Sequence, residues 1–191
     1  MKLASHNSWS YHTPKTWWMK LIGFTAKCQD VDIITQYRLF GVRCFDLRVK
    51  FENGIPVVVH NIVEYDISEK QLSEDLVWLN SKGDVSVRIL LDIRNSKEFT
   101  QDQINSFVDY CEKLEKIYKN IEFWCGRNLY NWNIEYPFKY NPSCEEKYAS
   151  VCPPKLIDDW YPRWFAKENN KEILSQEHNV DFLMIDFVNY Q

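Results

Sequence analysis

Apolar and polar residues alternate along residues 41–49, and this alternation predicts a β-strand with two unlike faces. Cys44, Asp46 and Arg48 fall on one face, and the apolar residues that separate and follow them fall on the other. A carboxylate and a guanidinium set among apolar residues are costly to bury unless water or a ligand reaches them. The strand therefore carries a candidate site.

The same pattern predicts the other main elements. Residues 85–93 form a nearly continuous apolar run, typical of a strand covered on both sides, as in a parallel sheet. Thr100 begins an amphipathic helix that continues to Ile117, and Ser68 caps another that stops at Lys82-Gly83. We also predict strands over 2–5, 55–59, 121–125 and 180–188, and helices over 172–178 and over 31–39, with Ile33, Ile34 and Tyr37 facing inward.

Two stretches are harder to assign. Residues 14–24 fit either a helix or an exposed apolar loop. Residues 126–166 are aromatic but irregular, because five prolines interrupt any regular pattern. We expect no regular element in this second stretch.

Strands that alternate with helices imply parallel βα units and right-handed crossovers. We therefore predict an α/β fold, a distorted TIM-type (β/α) barrel that is either closed or incomplete, with residues 1–191 as one domain. Catalytic groups of such barrels gather at the carboxyl ends of the strands. The residues at or near predicted strand ends are His6, Asp46, Arg48, His60, Asp92, Arg94 and Asp186.

Composition excludes some classes of function. The net charge of −4 argues against a partner nucleic acid bound by a basic face. No apolar run approaches the roughly 18 residues of a membrane span. Residues 1–4 resemble the start of a signal peptide, but no apolar core follows them. We expect a monomer that is secreted or at a membrane surface if a leader was removed, and otherwise cytoplasmic.

The six cysteines show no zinc-ligand spacing, so we expect neither a structural metal nor a cofactor. Cys44 and Cys111 lie in apolar segments where a buried reduced thiol is usual. Cys144 and Cys152 flank a loop, and their spacing leaves both a bridge and two free thiols open. We favour reduced cysteines.

The charged candidates suit phosphodiester cleavage. Attack by a hydroxyl on phosphorus needs a base, and departure of an alkoxide needs an acid; histidine serves both near neutral pH. A carboxylate fixes the imidazole tautomer, and a guanidinium offsets charge on the phosphate oxygens. Structural alternatives stay open: a surface turn at His6, an ion pair of Asp46 with Arg48, a rim contact at His60, and a loop cap at Asp186. The Asp92 and Arg94 pair repeats the spacing of Asp46 and Arg48, so one of the two pairs can be structural.

Four short motifs occur in a recognisable order. They are Ser5-His6-Asn7-Ser8, Gln36 with 41–48, Val58-Val59-His60, and 184–188. Together they resemble the phosphatidylinositol-specific phospholipase C (X-domain) family over the whole chain, most closely its bacterial, metal-independent branch. The resemblance implies a distorted, incompletely closed α/β barrel.

The resemblance also implies roles for single residues. His6 would be the general base, oriented by Asp186, and His60 the general acid, supported by Asp46. Arg48 would stand where calcium-dependent relatives carry a metal-binding aspartate. Arg94 would similarly replace a metal-binding glutamate. Two fixed cations repel a divalent metal, so we expect no calcium requirement.

Three departures from the family pattern limit what the resemblance implies. Asn7, which we place among the substrate-binding residues together with Arg94, replaces the aspartate of the bacterial branch. Asn61 stands after His60 where a glycine is common. Residues 126–166 do not match the segment that recognises inositol. The chemistry therefore carries over better than the inositol specificity.

The leading hypothesis is a phosphodiester-cleaving lyase or hydrolase acting on a phospholipid headgroup, in transient contact with a membrane surface. Aromatic residues that would face the lipid, or else pack in the core and rim, are Trp17, Trp18, Trp160, Tyr161, Trp164 and Phe165. Two alternatives are a phosphodiesterase for a soluble glycerophosphodiester or glycosyl-phosphate, and an inactive barrel that binds lipid or glycan.

Overall fold

A computed structural model describes residues 1–93, 100–127, 148–150, 161–179 and 181–191. Eight strands form one sheet: β1 (Lys2–Ser5), β2 (Val42–Glu52), β3 (Ile55–His60), β4 (Val63–Glu64), β5 (Val85–Leu91), β6 (Ile121–Arg127), β7 (Tyr148–Ser150) and β8 (Phe182–Ile185). Five α-helices are described: α1 (Trp17–Ile22), α2 (Ile33–Arg38), α3 (Glu69–Asn80), α4 (Gln101–Ile117) and α5 (Pro162–Ser175). Short 3-10 turns follow at Gly23–Thr25 and Val188–Tyr190.

Six of the strands run parallel, side by side. Strand β7 pairs with β8, β8 with β1, β1 with β2, β2 with β5 and β5 with β6. Among the described strands β6 and β7 are not paired, so the sheet is open there, as in an incomplete barrel. The predicted α/β class is therefore confirmed. No helix in the described ranges has the length and apolarity to span a bilayer.

Strand β2 separates two packing layers. Phe45, Leu47 and Val49 join the main apolar cluster between sheet and helices. Cys44 faces the other way, in a small cluster with Ala4, Trp124, Phe182 and Met184. Asp46 and Arg48 follow Cys44 on this inner face, so the apolar cluster closes one part of the interior and charged residues fill the next. The two unlike faces predicted from the alternation are confirmed.

An antiparallel hairpin extends β2 beyond its parallel neighbours. Strands β2 and β3 pair from Val49 with Val58 to Glu52 with Ile55. The turn between them uses Asn53 and Gly54 at φ values of 52° and 77°, the left-handed pair that a tight hairpin requires. The sequence predicted the strand over 55–59 but not that it runs antiparallel to β2.

The predicted caps are confirmed, because Ser68 and Thr100 accept hydrogen bonds from the backbone N–H groups of Gln71 and Gln103. The helix predicted over 172–178 is present but has other bounds: α5 starts at Pro162, ten residues before the expected position, and ends at Ser175. Proline at a first helical position needs no N–H partner, so Pro162 begins this helix and does not break it. Ile34 is exposed, and its predicted inward orientation was wrong.

The described cysteines, Cys28, Cys44, Cys111 and Cys125, are buried and form no disulfide, as favoured from the sequence. Cys144, Cys152, Arg94 and most of residues 126–166 lie outside the described residues. The expectation of no regular element over 126–166 was wrong, because β7 and the start of α5 fall within this stretch.

Candidate active site

The candidate residues meet beside β2 because two strands share its edge. Strand β1 pairs with β2 as far as Phe45, and β3 pairs with it from Val49 onward. Only residues 46–48 of β2 separate the two pairings. His6, directly after β1, and His60, the last residue of β3, therefore approach each other next to Asp46 and Arg48.

Each candidate residue at the end of a strand is followed by a residue in the left-handed conformation. Asn7 follows His6 at φ 40°, Asn61 follows His60 at φ 66°, and Phe187 follows Asp186 at φ 46°. Such values are uncommon outside glycine, and for a bulky residue such as phenylalanine they indicate strain. The chain turns sharply at all three places, which leaves the preceding side chain at the end of its strand. At Asn61 the conformation is the one that a glycine would supply.

His6 is held by a carboxylate on one side and a guanidinium on the other. Its Nδ1–H donates to Asp186 Oδ1 at 2.7 Å, and Arg48 Nη2 donates to its Nε2 at 2.6 Å. This arrangement fixes the tautomer with the lone pair on Nε2. The side chain of His6 keeps 18% of its surface exposed, so a ligand can reach the ring.

Asp46 is a buried carboxylate shared by two arginines. Arg48 Nε donates to one oxygen at 2.9 Å, and Arg88 Nε donates to the other at the same distance. The backbone N–H of Asn7 donates to Asp46 Oδ2 at 3.0 Å. Burial alone would raise the pKa of Asp46, but the two guanidiniums, Arg88 foremost, hold that pKa far below its usual range. Asp46 therefore stays a carboxylate and fixes both arginines.

Asp92 is a second carboxylate beside Arg48. Its Oδ2 lies 3.6 Å from Arg48 Nη1 and accepts a hydrogen bond from the backbone N–H of Asn61 at 3.0 Å. Burial alone would lower the pKa of Arg48, but Asp46 and Asp92 raise it above the usual value. The guanidinium stays charged, and one carboxylate ties it to the turn after His60.

His60 faces His6 edge to face, with ring centroids 5.4 Å apart and planes at 85°. Its Nδ1–H donates to the carbonyl of Ala26 at 2.7 Å, and Tyr65 donates its hydroxyl to the same carbonyl at 2.8 Å. Nε2 is therefore the nitrogen left for a ligand. Burial, followed by the charges of Arg48 and His6, lowers the pKa of His60 to about 4, against smaller opposite effects of the Ala26 carbonyl and Asp92.

Several supporting residues escaped the sequence analysis. Arg88 lies directly opposite Asp46 in the β2–β5 register, and the signal was available as the one charge inside the apolar run 85–91. Gln29 Nε2 donates to the carbonyls of His6 and Ile185, which joins the ends of β1 and β8. No local pattern marks Gln29 or the Ala26 carbonyl, because both act through contacts distant in sequence.

Of the two predicted substrate-binding residues, Asn7 lies within the described residues and Arg94 does not. Asn7 is completely buried, and its backbone N–H supports Asp46. Because no surface of Asn7 is exposed in this structure, its side chain does not contact a substrate without moving. Its role in substrate binding stays a prediction. Arg94 lies outside the described residues, and Arg88 is the second guanidinium that the described part of the site contains.

Within the described ranges, one group of side chains has the spacing of metal ligands. His6, Cys28 and His60 each offer one ligand atom, and these three atoms lie within 4.8 Å of one another. These are nitrogen and sulfur ligands, which suit zinc and similar ions and not calcium.

Comparison of the sequence with protein-family models and with curated protein sequences gives no match. The fold, however, is similar to two solved bacterial structures. A phosphatidylinositol-specific phospholipase C from Listeria monocytogenes matches with a TM-score of 0.59 and 11% identity over 98% of this chain and 88% of its own. A mutant of the phosphatidylinositol-specific phospholipase C from Staphylococcus aureus matches with a TM-score of 0.66 and 15% identity over 99% and 86%. The chain shares the fold of these enzymes.

The first prediction concerns Arg88. Arg88→Met leaves one oxygen of buried Asp46 without its guanidinium, so the free energy of unfolding should fall by about 3–5 kcal/mol in urea denaturation. The control is Lys116→Met, because Lys116 pairs with Glu112 on the exposed surface of α4 and its loss should cost about 1 kcal/mol or less. Equal losses in the two variants would contradict the structural role of Arg88.

The second prediction concerns the charge of His60. Its imidazole should titrate near pH 4 in the protein, well below an unperturbed histidine, and added sulfate should raise that pKa because an anion offsets Arg48. NMR titration of the ring protons measures both, and His60→Gln assigns the resonance. A midpoint near 6.5 that sulfate does not move would contradict the described environment.

Proposed function

We propose that this protein cleaves phosphodiesters by attack of a substrate hydroxyl on phosphorus, with His6 as base and His60 as acid. One observation carries the proposal: Arg48 lies against His6 Nε2 while the ring of His60 is 5.4 Å from that of His6. A phosphate that replaces these contacts would meet a guanidinium and two imidazoles together. The shared fold with bacterial phospholipases C supports the same reaction class.

The proposed reaction has two coupled proton transfers. The substrate hydroxyl gives its proton to His6 Nε2 as its oxygen bonds to phosphorus, and Asp186 stabilises the imidazolium through Nδ1. The bond from phosphorus to the leaving oxygen breaks as His60 Nε2 protonates that oxygen. The products are a cyclic phosphate and a free alcohol. Water then opens the cyclic phosphate by the reverse roles of the two histidines.

Arg48 has to change partners for this reaction. It donates to His6 Nε2 through Nη2, and a bound phosphate oxygen offers that donor a charged partner instead. The exchange frees the lone pair of His6 for the substrate hydroxyl. Asp46 keeps Arg48 Nε in place during the exchange, so only the outer end of the guanidinium needs to move. The negative charge of the phosphate also offsets the charge of Arg48, which lowers the pKa of His60. Bound phosphate therefore favours the protonated form of His60 that acts as the acid.

The two arginines beside Asp46 support a reaction without calcium. Arg48 and Arg88 occupy the two sides of Asp46, so this carboxylate is not free to bind a hard divalent ion. The guanidinium supplies the positive charge that a metal would otherwise bring to the phosphate.

We propose a phospholipid substrate, met at a membrane surface. The apolar residues of and beside α1 and at the start of α5 that are more than half exposed are Trp17, Leu21, Phe24, Tyr161 and Trp164. The rings of Phe24 and Tyr161 stack at 5.8 Å, which joins the two segments into one surface. Phe24 lies two residues before Ala26, whose carbonyl holds His60, so this surface adjoins the site. Trp18 is also exposed, Phe165 is partly buried, and Trp160 lies outside the described residues.

The third prediction tests the reaction. The protein should release a cyclic phosphate from phosphatidylinositol in vesicles with excess chelator present. His6→Gln and His60→Gln should each slow turnover by about 10²–10⁴-fold, because each removes a proton-transfer group. His178→Gln is the control, since His178 contacts the Ile173 carbonyl on α5.

Two outcomes would contradict that prediction. Activity that disappears with chelator and returns with calcium would refute the metal-free reaction. Wild-type protein that binds vesicles or soluble phosphodiesters without turning any of them over would instead indicate a binding module.

The fourth prediction tests the apolar surface. Trp17→Ala with Trp164→Ala should weaken binding to vesicles at least tenfold and slow turnover of vesicle substrate, while turnover of a soluble glycerophosphodiester stays unchanged. The control is Ile117→Ala, because Ile117 is exposed at the end of α4 that leads to the amino end of β6, opposite the site. Equal effects on vesicle and soluble substrates would exclude this surface as the membrane contact.

A further inference from the structure

Cys28 is a buried thiol beside both imidazoles, and the proposed reaction gives it no part. Its Sγ lies 3.7 Å from His60 Nδ1, and it is 1% exposed. We propose that Cys28, His60 and His6 bind a soft divalent cation of the zinc class, which occupies the site in place of substrate. This ion would be an inhibitor and not a cofactor of the reaction.

The spacing of the ligand atoms fits a tetrahedral ion. Zinc lies about 2.3 Å from a thiolate and about 2.0–2.1 Å from an imidazole nitrogen, so neighbouring ligands are roughly 3.5 Å apart. The sulfur of Cys28 and Nδ1 of His60 are 3.7 Å apart, close to that value. The whole set, with one nitrogen of His6, lies within 4.8 Å. Small side-chain movements are enough to place all three on one ion.

The backbone around Cys28 is fixed on both sides. Its N–H donates to Ser10 Oγ at 2.9 Å, and its carbonyl accepts from the N–H of Phe187 at 2.6 Å. Phe187 follows Asp186, so the same turn positions the carboxylate of His6 and the backbone of Cys28. The thiol is therefore held beside the histidines by the structure that forms the site.

Binding releases one proton and breaks three hydrogen bonds. Two are those of Cys28 Sγ and His60 Nδ1 to the Ala26 carbonyl. The third is that of Arg48 Nη2 to His6 Nε2, because Asp186 holds the other nitrogen of His6. The S–H bond of Cys28 breaks, a sulfur–metal bond forms, and the proton leaves to solvent. When Nδ1 of His60 binds the ion, its proton moves to Nε2 and the hydrogen bond to Ala26 is lost. The Ala26 carbonyl keeps the hydroxyl of Tyr65 at 2.8 Å, so it is not left unsatisfied.

Nearby charges act in both directions: Arg48 opposes a cation beside His60, and the carboxylates around the site offset that effect. The thiolate and Asp186 would together balance the two positive charges of the ion. Arg48 is already paired with Asp46 at 2.9 Å and lies 3.6 Å from Asp92. Sulfur and nitrogen ligands prefer zinc, cobalt and cadmium, whereas calcium prefers oxygen ligands. The proposed site therefore favours ions of the zinc class over calcium.

The fifth prediction concerns metal binding and is tested by titrating the whole protein with cobalt(II) in the absence of substrate. The wild type should bind cobalt with a thiolate-to-cobalt charge-transfer band and strong d–d bands, both reversed by zinc. Cys28→Ser should lose the charge-transfer band, and His60→Gln should weaken cobalt binding at least tenfold. Cys111→Ser is the matched control, because Cys111 is a buried thiol on α4 within the main core, and should keep the band.

The wild-type spectrum decides the proposal even if a variant fails to fold. Absence of the charge-transfer band in the wild type, or a band that persists in Cys28→Ser, would overturn it. Because no substrate is present, this result is independent of the proposed function. Inhibition of turnover by zinc, relieved by chelator, is a further consequence that rests on that function.

Discussion

The buried carboxylate of Asp46 is the group on which the arrangement of the site depends. It accepts hydrogen bonds from Arg48, Arg88 and the backbone of Asn7, each near 3 Å. A buried charge is tolerated only when it is paired and hydrogen-bonded, and these donors meet that condition. The pairing fixes Arg48, and Arg48 in turn contacts His6. Removing Asp46 would take from both arginines the carboxylate to which their Nε atoms donate.

Strand register places this carboxylate and its partners. Asp46 on β2 and Arg88 on β5 are direct neighbours in the parallel pairing. Strand β1 ends beside Phe45, which lets β3 bring His60 back along the same edge. Left-handed residues after His6, His60 and Asp186 turn the chain away and leave the functional side chains at the strand ends. The two histidines are thus brought together by pairing and not by proximity in sequence.

Much of this arrangement could be predicted from the sequence. The alternation at 41–49 predicted which face carries Asp46 and Arg48, and the apolar run at 85–93 predicted a parallel strand. The start of α5 was missed because Pro162 stands among other prolines and looks like a helix breaker. The antiparallel course of β3 was missed because a strand pattern does not specify its partner.

The contacts of the site were the least accessible part. Arg88 could have been found as a lone charge in an apolar strand, but its partner depends on the register between β2 and β5. The hydrogen bond of His60 to Ala26, and the position of Cys28 beside it, join segments more than thirty residues apart. No local pattern encodes such pairs, and only the fold reveals them.

The most direct test is a crystal structure of the protein with a non-hydrolysable phosphonate analogue of a phosphodiester. We expect a phosphonate oxygen to accept from Arg48 in place of His6 Nε2, with Asp46 still holding Arg48 Nε. The two imidazoles should then lie within hydrogen-bond reach of the attacking and leaving positions. An analogue bound away from Arg48, or one that leaves either histidine out of reach of phosphorus-bound oxygen, would contradict the account.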